Sequence, residues 1–133
     1  MDVPEQPAQE HRILYIDDNP ANLRLVEQIF ERRADYQVLT TTTPSIGLQL
    51  ARSQMPDCIL LDINMPDQDG YAVLRELRQS AETAGIPVLA VSGDATRQQR
   101  EKALEAGFHH YLTKPINIAE MQSCIEEIVL VTG

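Results

Sequence analysis

The sequence predicts a single α/β domain, a sandwich with helices on both faces of a mostly parallel five-stranded sheet. Three observations carry that prediction. Short apolar runs alternate with helix-period segments five times along 133 residues. The first, third and fourth runs are apolar throughout, as strands covered on both faces must be. The segments between them open and close with helix-capping residues. Right-handed crossovers then distribute the helices over both faces.

The first strand is read at Ile13-Leu14-Tyr15-Ile16. Asn19 caps the helix that follows, with Pro20 at its first position, where no N–H is needed; Leu23, Val26 and Phe30 recur at helical spacing. Tyr36 to Leu39 forms the second strand, and Thr43-Pro44 repeats the start signal ahead of Ile46, Leu50 and Ala51. Cys58-Ile59-Leu60-Leu61 is the third strand, and Asp69-Gly70 opens a helix bearing Val73, Leu74 and Leu77. Val88-Leu89-Ala90-Val91 is the fourth. The helix after it runs from about Ala95 to Ala106, stops at Gly107, and is the most polar, with Ala103 and Leu104 as its core candidates. The last strand lies at Tyr111-Leu112. Asn117, with Glu120 three residues on, makes a capping box ahead of a stripe of Ile118, Met121, Ile125 and Ile128.

Composition narrows the function classes. A hydrophobic fraction of 43% and a charged fraction of 23% are those of a soluble globular protein. Eleven Lys/Arg against twenty Asp/Glu give a net charge of −9, which repels a nucleic-acid backbone. No apolar run approaches the roughly 20 residues that span a bilayer. Residues 1–10, MDVPEQPAQE, carry no secretion signal and read as a linker or disordered lead to a domain at 11–133. Cys58 and Cys124 have no metal or CxxC spacing, so both are expected as buried free thiols in a cytoplasmic protein.

In parallel sheets of this kind, ligands bind beyond the carboxyl ends of the strands. Those ends carry Asp17-Asp18, a Thr run, Asp62, Ser92 and Lys114-Pro115. Singly, each has a plainer reading: a cap, a loop aspartate before Pro66, a turn at Ser92-Gly93, a solvated lysine. Together they place three carboxylates, a hydroxyl and an ammonium on one rim. Two carboxylates about 4 Å apart repel by roughly 4 kcal/mol at an effective dielectric of 20. Three in one cleft therefore need a cation, and oxygen-only ligands suit a hard one such as Mg²⁺, with Mn²⁺ as a substitute. With that charge offset, one carboxylate can act as nucleophile toward phosphorus.

The set Ile16-Asp17-Asp18-Asn19, Leu61-Asp62-Ile63-Asn64-Met65-Pro66 with Gly70, Val91-Ser92-Gly93 and Tyr111-Leu112-Thr113-Lys114-Pro115 resembles the receiver family of two-component signalling. The likeness covers about Arg12 to Val131. It implies a flavodoxin-like (βα)5 three-layer fold with strand order 2-1-3-4-5, an order the receiver family is itself a standard example of. It implies Asp62 as phosphoacceptor, with Mg²⁺ held by the side chains of Asp18 and Asp62, the Asn64 carbonyl, and Asp17 through a water. Lys114 contacts the phosphoryl group, and the Lys114–Pro115 bond is cis. Ser92 and Tyr111 are the switch pair, and Asn64 and Asp94 flank the approach of an attacking water and tune dephosphorylation. The output face is the fourth helix, fifth strand and fifth helix. Partners are a histidine kinase or phosphotransfer protein and a downstream target that leaves no trace in the residues, with no direct contact to nucleic acid or membrane. Two departures are mild: serine stands at position 92 where threonine is commoner, and Gly93 follows where alanine is frequent.

Two other classes compete. A Mg²⁺-dependent phosphohydrolase with an aspartate nucleophile usually carries a second aspartate two residues on, and here Asn64 stands there. A receiver-like interaction module without phosphorylation usually lacks one of the reacting groups, and none is missing. The motifs around Asn19-Pro20 and Ala106-Gly107-Phe108 also resemble receivers attached to hybrid sensor histidine kinases. His109 and His110 have no part in this chemistry and read as a solvated pair; a pH-sensitive contact near Tyr111 is the alternative.

Overall fold

A computed structural model describes residues 11–66 and 68–132. The elements follow in strict alternation: β1 (His11–Ile16), α1 (Pro20–Phe30), β2 (Tyr36–Thr41), α2 (Pro44–Gln54), β3 (Cys58–Asp62), α3 (Gly70–Gln79), β4 (Val88–Ser92), α4 (Arg97–Ala106), β5 (His110–Thr113) and α5 (Ile118–Thr132). All strand pairs are parallel and the order is β2-β1-β3-β4-β5, the flavodoxin-like arrangement expected. The strand order reverses between β1 and β3, so the crevice lies beyond those two carboxyl ends.

Alternation along the strands sorts the core into two slabs. Leu14, Ile16, Ile59, Leu61, Val88 and Ala90 face α2, α3 and α4, which contribute Leu48, Val73, Leu77 and Ala103. Ile13, Tyr15, Leu60, Leu89 and Val91 face α1 and α5, which contribute Leu23, Val26, Met121 and Ile125. Register does the rest: Ile16 pairs with Leu61, Asp62 with Val91, and Ser92 with Thr113. Asp17, Asp62, Ser92 and Lys114 therefore reach the same rim.

The capping signals act as read. The Asn19 side chain accepts from the Ala21 amide, Asp69 from Ala72, and Asn117 from Glu120. Gly107 closes α4 with φ of 115°, a left-handed conformation that favours glycine. Thr43 makes no side-chain cap bond, and α2 starts on Pro44 alone. Helix α4 begins at Arg97 with Thr96 as its cap, later than Ala95, because the Thr96 hydroxyl accepts from the Gln99 amide.

Three apolar residues assigned to the core lie outside it. Ile46, Leu104 and Ile118 are exposed. In α2 it is Gly47, Leu48 and Ala51 that turn to the sheet. In α4 Ala103 is the buried residue. Ile118 begins α5 ahead of the Met121, Ile125, Ile128 stripe, where the helix has not yet reached the sheet. Cys58 is fully buried and burial pushes its thiol up, whereas Cys124 is only partly buried. The expected lead at residues 1–10 lies outside the described residues.

Candidate functional site

Asp17 follows β1 directly and is fully buried. Its carboxylate is held from three sides: the Tyr15 hydroxyl donates to Oδ2 at 2.6 Å, the Asn22 amide to Oδ2 at 3.2 Å, and the Asn19 N–H to Oδ1 at 2.9 Å. Asp18, next along, is exposed at the mouth. Asp62 ends β3, 2% exposed, and its Oδ1 accepts from the Asn64 N–H at 2.9 Å. Lys114, just past β5, brings Nζ to 3.1 Å from Asp62 Oδ2 and 3.3 Å from Asp17 Oδ2. The Lys114–Pro115 bond is cis, as the resemblance implied. One carboxylate oxygen from each of Asp17, Asp18 and Asp62 lies within 4.8 Å of the others.

The electrostatics follow from that crowding. Burial raises the Asp62 carboxyl and the Asp17 charge adds to the effect, while the Asn64 amide and Lys114 pull the other way; the balance is upward. Burial pulls Lys114 down, but Asp17 and then Asp62 outweigh it and hold its ammonium above the usual lysine range. Burial, then the bond to Asp17, pushes the Tyr15 phenol far up, so it stays a donor. Three carboxylates face one ammonium here, leaving two negative charges in a cleft whose donors are all oxygen. A single hard divalent cation fits both the charge and the donor type.

Ser92 is buried beside the carboxylates; its hydroxyl donates to the Asn64 side-chain oxygen at 2.9 Å and accepts from the Asp94 N–H at 3.1 Å. Tyr111 is also buried, its hydroxyl donating to the Asp94 carbonyl at 2.5 Å. Asp94 thus joins the two through its backbone, N–H to Ser92 and carbonyl to Tyr111. Its exposed carboxylate turns to the Thr96 amide, and that bond lowers its pKa. All eight site residues named from sequence therefore gather around this rim and the loop after β4.

Sequence reasoning missed the supports. Tyr15 stands two residues before Asp17, and strand period places such pairs on one face, so that signal was readable. Asn22 depends on how α1 leaves the first loop, which no local pattern reveals.

The comparisons with known proteins agree with this fold. The family model for the response regulator receiver domain matches residues 13–126. The chain belongs to the response regulator receiver family. Among its relatives, response regulator PleD of Caulobacter vibrioides is 40% identical over 106 residues, which are 80% of this chain but 23% of PleD. The receiver thus spans under a quarter of that relative's length. Protein PilH of Pseudomonas aeruginosa is 32% identical over 89% of this chain and 97% of its own. The receiver domain of sensor histidine kinase PA1611 from Pseudomonas aeruginosa, solved with magnesium coordinated in its active-site cleft, superposes with a TM-score of 0.79 at 31% identity, covering 90% of this chain and 98% of that one. The Francisella response regulator 1452 receiver domain reaches a TM-score of 0.84 over 93% and 100% of the two chains, at 24% identity, and supports the fold. Receiver domains work in two-component signalling with histidine kinases or phosphotransfer proteins, and generally bind Mg²⁺. Among the described residues, no helix is long and apolar enough to cross a membrane.

Proposed function

We propose that this receiver accepts a phosphoryl group on Asp62 from a phosphohistidine of a kinase or phosphotransfer protein, in a reversible, Mg²⁺-dependent step in the cytoplasm. The observation that carries this reading is Lys114 Nζ standing 3.1 Å from Asp62 Oδ2 beside a second buried carboxylate. An Asp62 oxygen forms the new bond to phosphorus as the bond from phosphorus to the donor imidazole breaks, and the electron pair leaves with the imidazole.

Asp18, Asp62, the Asn64 carbonyl and, behind them, Asp17 would hold the ion. When bound, Mg²⁺ (or Mn²⁺) offsets the carboxylate charge and stabilises the phosphoryl oxygens. Lys114 keeps its proton and contacts the transferred group, and the Ser92 hydroxyl exchanges Asn64 for a phosphoryl oxygen. Because Asp94 ties Ser92 to Tyr111, that exchange reaches the face made by α4, β5 and α5. Asn64 and Asp94 border the approach of water to the acyl phosphate and set its lifetime.

Intact-mass analysis after incubation with acetyl phosphate and Mg²⁺ tests the reading. One added phosphoryl group is expected on the native chain, none on Asp62→Asn, and none on the native chain in excess EDTA. An equal mass gain on Asp62→Asn moves the acceptor elsewhere. Replacing both Asn64 and Asp94 by alanine is expected to change the acyl-phosphate half-life; an unchanged half-life removes their tuning role.

A further inference from the structure

At the opposite rim of the sheet stands a second cluster that phosphoryl transfer does not use. His109 is exposed just before β5 and His110 is the half-buried first residue of that strand. Their rings meet edge to face with centroids 5.1 Å apart. Glu127 rises from α5 beside them, its Oε1 3.6 Å from His110 Nε2. One ligand atom from each of the three lies within 4.8 Å of the others. The His109 N–H donates to the Val88 carbonyl at 2.7 Å, which fixes the pair at the amino end of β4 and β5. Four strand residues at about 3.3 Å each separate this cluster from Lys114 by roughly 13 Å.

The donor chemistry of the two clusters differs in kind. Asp17, Asp18 and Asp62 offer oxygen alone, whereas here two imidazoles join one carboxylate. Two histidines and a carboxylate suit a borderline transition ion and leave a coordination position for water. Bonds of about 2.0–2.2 Å to such an ion bring tetrahedral ligands to roughly 3.4 Å from one another. Side chains that are 40% exposed at His110 and 67% at Glu127 can close that gap by rotation, with the backbone unchanged.

We propose that His109, His110 and Glu127 form a binding site for a divalent transition-metal ion of the Zn²⁺ class, separate from the acidic cleft, that staples α5 to the start of β5. The binding of Zn²⁺ to the full chain, measured by calorimetry with Mg²⁺ in large excess to fill the carboxylate cleft, tests it. One equivalent is expected. His109→Ala and His110→Ala should each weaken it by more than about tenfold, since even supporting residues around metal sites cost 10–100-fold. Glu127→Gln should weaken it less, and Asp62→Asn should leave it as in the native chain. Thermal unfolding in EDTA, expected to match the native chain, checks that each variant folds. Substoichiometric Co²⁺ should broaden the amide signals of residues 109–111 and 127 before those around Asp62. No zinc binding, binding that survives both histidine variants, or binding lost in Asp62→Asn overturns the proposal.

Discussion

Helices α3 and α4 lie against the same face of the sheet and are held there by different means. Four residues of α3, namely Gly70, Val73, Leu74 and Leu77, are buried. Ala103 is the only buried residue of α4. What remains is peripheral: a Thr96 cap and an exposed Arg97–Glu101 pair within α4 itself and, toward its neighbours, the Lys102 ammonium 4.9 Å from the Tyr71 ring centre on α3 and the Arg100 guanidinium 5.7 Å from that of Tyr111. Exposed pairs of this kind contribute little. An element held mainly by one methyl group and its cap opens at low cost, whereas one with three buried aliphatic side chains does not. Asp94, which bonds both Ser92 and Tyr111, leads directly into the weakly held helix. The fold therefore places its sparser packing in α4, beside the site, and its denser packing in α3.

Four substitutions sharpen or break this contrast, each read by denaturant unfolding. Leu77→Ala, at a position 1% exposed, should cost about 3 kcal/mol through lost burial and the cavity left behind. Gly70→Ala should cost about 2 kcal/mol despite alanine's better helix propensity, because the new Cβ would sit 2.6 Å from the backbone Cα of Ile63. Thr96→Ala removes the cap of α4 and should cost about 1 kcal/mol. Leu104→Ala, at an exposed position, should stay within about 0.5 kcal/mol. A loss at Thr96 or Leu104 larger than that at Leu77 would reverse the comparison.

The contrast was partly legible beforehand. The polar character of α4 was plain in Arg97-Gln98-Gln99-Arg100-Glu101-Lys102, but the choice between Ala103 and Leu104 was not. Adjacent helix positions differ by about 100° in direction, and only the docking angle decides which one meets the sheet. Ile46 and Ile118 were misplaced for the same reason: hydrophobicity says a residue can be buried, not that its helix has reached the core there. The site fared better because strand ends need no docking angle. Once β1, β3, β4 and β5 are parallel and in register, Asp17, Asp62, Ser92 and Lys114 converge by topology alone. Contacts made across loops, such as Ser92 to Asn64 and Tyr111 to Asp94, join segments 28 and 17 residues apart, and no local pattern encodes them. From sequence the histidine pair looks solvated, whereas His110 is half-buried, and its nearness to Glu127 depends on how α5 packs back along β5.

The clamp on Asp17 has a consequence for how the cleft trades its charge. Tyr15, Asn19 and Asn22 hold that carboxylate through bonds that owe nothing to an ion, so the floor of the pocket is built before any cation arrives. Ion exchange there would proceed without refolding, limited by the shedding of the ion's own hydration shell. A cation bound there would then register as a change in potential across the pocket rather than a change in its form.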